Sequence, residues 1–253
     1  PDLSMFAKTG FITPETEELK IKPDGSSEAF YTFKRQQYTI TVNDNDKKIK
    51  KWNAPKTAYY EEKVDVSFET NAGYQAAGIT TDSIALENAT QTTAHFTMPA
   101  SDITLTAKAD PLKYTISYEM NHGTNSGNAV TEYTYGDTIA LPDASTMSLP
   151  GFVFDGWYTK ESFDGEPVAH ILPDTIGNKT FWAKWVSGNY KVTLDAQGGT
   201  IKDGNVTEYT YYTGAKLPTN VVKDGYSFLG WWDGYKTATE IGNMEYGDKT
   251  YVA

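Results

Sequence analysis

The sequence predicts a mainly β protein with little helix, α+β at most, built from small units in tandem. Three observations carry this. Aromatic residues make up 14% of the 253 positions, with 18 Tyr, 11 Phe and 6 Trp beside 21 Gly, a composition of strands and turns. No long stretch sets apolar residues at i, i+3, i+4 and i+7 between two caps, as an amphipathic helix requires. The chain also resembles itself, with letters recurring in fixed order about 76 residues apart.

The repeat is read by setting two segments side by side. Residues 114–124 align with 190–200, an offset of 76; 130–135 recur letter for letter as 206–211, and Leu141-Pro142 recurs as Leu217-Pro218. Later landmarks keep their order while the loops shorten: 151–158 match 225–232, and 179–183 match 249–253.

Each element of one unit follows from its letters. Tyr190, Val192 and Leu194 alternate with Lys191, Thr193 and Asp195, so a first strand has one apolar face. Gly198-Gly199 supplies the positive φ that a reversal needs. A second alternating strand sets Val206, Glu208 and Thr210 against Thr207, Tyr209 and Tyr211. From Leu217 to Gly225 runs a connector with room for one short helix, and strands at 225–232 and 249–253 complete the sheet. Strict alternation over 152–158 puts Trp157 on the face opposite Phe152 and Phe154. A bulge at Gly156 would return it to the Phe face, and Gly230 should behave alike. Trp157, Trp231, Phe154 and Phe228 are therefore expected in cores.

A more distant copy comes first. Tyr38 stands 76 residues before Tyr114, Ala107-Lys108 stand 76 before Ala183-Lys184, and Gly73-Tyr74 stand near where Gly151-Phe152 would. This copy lacks the Gly-Trp pair and carries Phe96-Thr97-Met98-Pro99 before its last strand. Residues 1–36 read as the end of a further unit, a hairpin with runs at 19–22 and 29–33 around a Pro23-Asp24-Gly25 turn. The expected division is thus 1–36, 37–113, 114–189 and 190–253, the last unit truncated at its final strand. Linkers at 110–113 and 186–189 are four residues each, which predicts contact between neighbours and an elongated, semi-rigid array. A chain that starts at Pro1 and stops inside a strand reads as a piece of a longer protein.

This string of motifs resembles the Listeria–Bacteroides repeat, the internalin B-type repeat of bacterial surface proteins. Residues 114–185 match the pattern closely, 190–253 match it up to a missing Lys-Trp, and 37–110 resemble a divergent form through 96–107. The resemblance implies a small β-grasp-like fold, an extracellular or bacterial cell-surface location whose anchor lies outside this segment, and tandem use in adhesins. It supplies no catalytic residue, cofactor or ligand set.

Composition excludes other classes. With 22 basic against 33 acidic side chains, the net charge of −11 repels phosphate backbones, so no nucleic-acid partner is expected. Lys47, Lys48, Lys50 and Lys51 read as a solvated hairpin end. No apolar run approaches the ~20 residues of a membrane-spanning helix, so no membrane insertion is expected. The absence of cysteine removes disulfides and thiolate chemistry. His95, His122 and His170 are scattered and read as ordinary imidazoles, and no metal or cofactor site is expected.

Three groups of residues stand out as candidate sites. Asp155, Glu161, Asp164 and Glu166, with Asp233 and Glu240 in the next copy, lie in charged loop sequence without the apolar surroundings that a catalytic acid needs. They read as solvated, and the protein as no enzyme. The run 43–46 lacks the Gly and Glu of a calcium loop. Aromatics are the remaining candidates, because sugar rings stack on flat side chains: Trp182, Trp185, Tyr211, Tyr212, Trp232 and Tyr235, read as ligand contacts or as packing. The expected function is a non-enzymatic stalk and adhesion segment, monomeric in isolation, whose partner is a host surface protein or a glycan. The alternative is a carbohydrate-binding module of a secreted polysaccharide-processing protein. A Lys–Asn or Lys–Asp isopeptide cross-link stays open at this point.

Overall fold

A computed structural model describes residues 4–15, 22–43 and 47–253, and the chain divides into compact units 1–112 and 113–253. Strands supply its regular structure. Among the described residues the helical content is one three-residue 3-10 turn, Ser4–Phe6.

In the second unit, a four-stranded mixed sheet has the order Glu132–Thr134, Lys113–Glu119, Lys179–Ser187, Phe152–Tyr158. The first and last strands of the repeat form its central pair. They run parallel, with Ile116 opposite Lys179 and Glu119 opposite Trp182, while both outer strands run antiparallel to them. This is the β-grasp-like plan that the family resemblance implies. Alternation does the sorting: in Lys113–Glu119, Tyr114, Ile116 and Tyr118 turn inward while Thr115, Ser117 and Glu119 face solvent. The next copy repeats the order, with Glu208–Thr210, Asn189–Asp195, Lys249–Val252 and Trp231–Trp232, and adds Thr237–Ala238 at the edge.

Two expectations are corrected here. The connector holds no helix. Val221–Val222 instead pairs with Thr200–Ile201, as Met147–Ser148 pairs with Thr124–Asn125 in the preceding copy. The second strand is also shorter than its letters suggest, Glu208–Thr210, although the Tyr211 N–H still donates to the carbonyl of Gly188 opposite it.

The bulge forms as expected. Pairing of Phe152–Tyr158 with Lys179–Ser187 slips between Phe154 and Gly156, where φ reaches +137°. The slip returns Trp157 to the Phe face, at 1% exposure and with its ring 5.4 Å edge-on from Phe154. Trp231 is equally buried after Gly230, where φ is +141°. Each indole N–H then meets a carbonyl of the Leu-Pro motif: Trp157 donates to Pro142 O at 2.7 Å, and Trp231 to Pro218 O at 2.8 Å. Leu141 and Leu217 lie buried beside them. The two motifs travel together because one satisfies the donor that the other buries.

The first unit holds the divergent copy. Its four-stranded sheet has the same order, Thr57–Tyr59, Gln37–Asn43, Ile103–Pro111, Tyr74–Thr80, again with a parallel central pair. Where the other copies have two-residue ladders, it has a second sheet of Ile49–Asn53, Lys63–Thr70 and Thr93–Thr97. Phe68, Phe96 and Met98 of this added layer share one core with Ile40, Ile103 and Leu105. The bulge survives without its tryptophan: the register slips between Ala76 and Gly78, with φ +117° at Gly78, and Ile79 is the residue turned inward.

In residues 1–36, Phe11–Ile12 pairs with Lys34–Arg35. The turn closes through Gly25 N–H to Lys22 O, and the Asp24 carboxylate accepts the Ser26 N–H. The run expected at 29–33 is not strand, and pairing begins at Lys34. Positions 19–21 of the other run lie outside the described residues, as do 44–46 of the run compared with a calcium loop.

Candidate functional site

The second unit brings aromatics to the seam between its two copies. The strands Lys179–Ser187 and Asn189–Asp195 are separated by Gly188 alone, so the expected linker at 186–189 is strand on both sides. Gly188 is buried. Its N–H donates to Gly151 O at 2.9 Å, and its carbonyl accepts the Tyr211 N–H at 3.2 Å. Gly151 has φ +83°, and a Cβ there would stand 2.4 Å from ring carbons of Tyr211. The Tyr211 ring lies 5.2 Å from Phe152 of the preceding copy, and Tyr212 lies 5.6 Å from the same ring. Tyr246 joins at 6.4 Å from Tyr211. The inner members pack, while Tyr212 and Tyr246 keep 60% and 56% of their surface.

The six candidate aromatics therefore occupy three settings. Tyr211 and Tyr212 sit at this seam. Trp185 is half-buried on the core face, edge-on to Phe154 at 5.4 Å, with its N–H donated to Met120 O at 2.9 Å. Trp182 lies half-buried on the opposite face, in register with Tyr158. Trp232 and Tyr235 belong to the exposed edge hairpin of the last copy. Tyr235 stands at its tip, 92% exposed, where the Asp233 carboxylate accepts the N–H groups of Tyr235 and Lys236. Sequence reasoning passes over Phe152, Tyr246 and Tyr226. For two of them a signal is present, in the glycine–aromatic pairs Gly151-Phe152 and Gly225-Tyr226.

The charged candidates do not converge. Asp155, the bulge residue, makes an ion pair with Lys184 at 2.9 Å, and Tyr158 joins both. The Lys184 hydrogen bond holds the Asp155 carboxyl below its usual range, and Asp155 in turn raises Lys184. Both partners stay charged. Glu161, Asp164, Glu166 and Glu240 are exposed, with Asp164 accepting the Ser162 hydroxyl. His95 pairs with Asp65, while His122 and His170 are exposed. Among the described residues no three acidic, His or Cys side chains gather as metal ligands. Lys50 of the cationic run faces Glu69 at 3.2 Å.

Known proteins share these motifs. The model of the Listeria-Bacteroides repeat domain matches residues 114–184 and 190–252, and that of the divergent InlB B-repeat domain matches 38–109. A putative Gly-rich membrane protein of Evansella cellulosilytica is 26% identical over 220 residues, covering 82% of this chain and 24% of its own length. A putative membrane protein of the same organism is 31% identical over 137 residues, 52% of this chain and 19% of its own. Internalin H of Listeria monocytogenes is 29% identical over 137 residues, 49% of this chain and 22% of its own. The chain thus spans about a quarter or less of the curated relatives it matches.

Proposed function

This chain belongs to the Listeria-Bacteroides repeat domain family, and from that premise we propose that it is a non-enzymatic stalk and adhesion segment of a bacterial cell-surface protein. The observation that carries the stalk reading is the seam. One buried glycine separates two strands, two backbone hydrogen bonds cross it, and aromatic rings interlock over it. A segment built this way transmits position from one repeat to the next and leaves little free linker. The adhesive side of the reading is supported by the aromatics that keep exposed faces, Tyr212, Tyr246, Trp232 and Tyr235. Their expected partner is a host surface protein or a glycan.

A carbohydrate-binding role within a secreted polysaccharide-processing protein is the second reading, favoured by the same exposed rings, since sugars stack on such platforms. Screening the whole 253-residue chain against glycans, mucins and matrix proteins tests both. Saturable binding that weakens in Tyr212→Ala or Tyr235→Ala supports a binding segment. Binding to polysaccharide alone favours the second reading, and a clean negative leaves the segment as a spacer. Turnover of a glycan or peptide by the purified chain would refute the non-enzymatic reading.

A further inference from the structure

The same pair recurs four times along the chain, a glycine at positive φ followed by an aromatic; at Gly73 and Gly151 it opens the bulged strand. Gly10-Phe11, Gly73-Tyr74, Gly151-Phe152 and Gly225-Tyr226 have glycine φ values of +82°, +88°, +83° and +77°. At two of them a tyrosine of the following copy lies on the glycine. A Cβ on Gly10 would stand 2.3 Å from ring carbons of Tyr60, and one on Gly151 would stand 2.4 Å from those of Tyr211. The backbone bonds are also matched. Gln36 N–H donates to Gly10 O and Tyr60 N–H to Gln36 O; Gly188 N–H donates to Gly151 O and Tyr211 N–H to Gly188 O. The same parts stand at equivalent positions although Tyr60 belongs to the divergent copy. Any other L residue at the glycine would be strained and would collide with the ring.

At Gly225 the arrangement is half made. The backbone is set, but nothing lies within 4 Å of the position a Cβ would take. Tyr226 is 73% exposed, with the Lys223 ammonium 4.5 Å over its ring, and Leu229 is 92% exposed, whereas their counterparts Phe152 and Asp155 are engaged by Tyr211 and Lys184. Tyr226, Phe228 and Leu229 line an open cleft that continues to Val221 and Ala253.

We propose that the glycine–aromatic pair is a socket for a tyrosine of another repeat, and that Gly225 and Tyr226 form such a socket. The partner it fits is a repeat of the same kind, whose tyrosine stands two residues beyond the buried tyrosine of its second strand, as Tyr211 follows Tyr209. The filled seam at Gly151 and Tyr211 is the template. This inference holds whether the segment acts as spacer or as binder.

Two arms test it. In the 253-residue chain, Gly151→Ala and Tyr211→Ala each lower the melting midpoint. The double variant loses less than the sum, because the added methyl no longer meets a ring. Strictly additive losses would overturn the socket. In the second arm, a copy of residues 184–253 is appended after Ala253, so that Lys184 again follows the strand-ending alanine. Nitration of Tyr226 slows in this longer chain, and Gly225→Ala lowers its midpoint more than it does in the 253-residue chain, where backbone strain alone is felt. Changing the appended copy's tyrosine to alanine reverses both effects. Equal nitration and equal loss in the two chains would show that Gly225 and Tyr226 dock nothing, and sink the proposal.

Discussion

Gly156 and Gly230 hold nearly the same backbone, yet substitution should cost them differently. A Cβ on Gly156 would stand 2.6 Å from Pro167 Cβ, while one on Gly230 meets nothing nearer than Thr237 at 3.5 Å. Gly230→Ala is expected to lose about 1–2 kcal/mol through strain alone. Gly156→Ala adds a collision and should lose about 3 kcal/mol or more; urea unfolding of the two variants gives the comparison. This bulge was legible in the sequence, since strict alternation would have exposed a tryptophan. The indole bond to Pro142 was not, because a carbonyl leaves no mark among the letters. Nor was the bulge at Gly78, whose inward residue is Ile79 instead of the tryptophan that signals it elsewhere. Lys184 and Asp155 give a second residue-level expectation. Asp155 titrates below its ordinary range when folded, so its contribution is present above the unfolded carboxylate pKa of about 3.9 and is lost as pH falls. Asp155→Asn should flatten that stretch of the acid-unfolding curve.

Elements are joined by bonds that recur from copy to copy. Asp102, Asn178 and Asp248 each accept an N–H near the start of a first strand, from Thr39, Thr115 and Lys191. Tyr133 donates its hydroxyl to Gly177 O, and Tyr209 to Gly247 O, both at 2.6 Å. These tie the second strand to the turn before the last one. Burial, then the Glu245 charge, pushes the Tyr209 pKa up to about 12. The folded state therefore keeps a proton that the unfolded chain releases near pH ~10. Stability from this hydroxyl is whole below pH ~10 and falls as pH rises toward about 12. Tyr209→Phe should lose about 1 kcal/mol at neutral pH and blunt the alkaline decline, as followed by circular dichroism across pH. Strand order and facing were readable because alternation and repetition both report them. The connector was left open to a short helix because two residues show no period, and the ladder partner of Val221–Val222, Thr200–Ile201, lies well upstream. The four residues at 186–189 did announce contact between neighbours, but not that strand runs up to Gly188 on both sides, because the backbone partners at Gly151 and Tyr211 lie far away in the sequence.

For the whole molecule, charge sets the company it keeps. The net of −11 includes nine acidic against three basic side chains in residues 114–185, and the four-lysine run of the first unit already engages Glu69 through Lys50. The chain should pass a heparin column at physiological salt without retention; binding that weakens with added salt would contradict this reading. Repetition also made the aromatic candidates hard to sort from letters alone. Tyr211 and Tyr212 are adjacent and chemically alike, but one covers a glycine while the other keeps an open face.

The parallel central pair has a mechanical consequence. Tension entering a repeat at Lys113 and leaving at Ser187 pulls the two middle strands in opposite directions along their own axes. The hydrogen bonds that join 116–119 to 179–182 then lie across the direction of sliding and are strained together. Had the chain entered and left on adjacent antiparallel strands at the same end, those bonds would break singly in succession, like a zip. Each repeat is therefore wired to resist shear, and Gly188 hands the pull from one sheet's last strand to the next sheet's first.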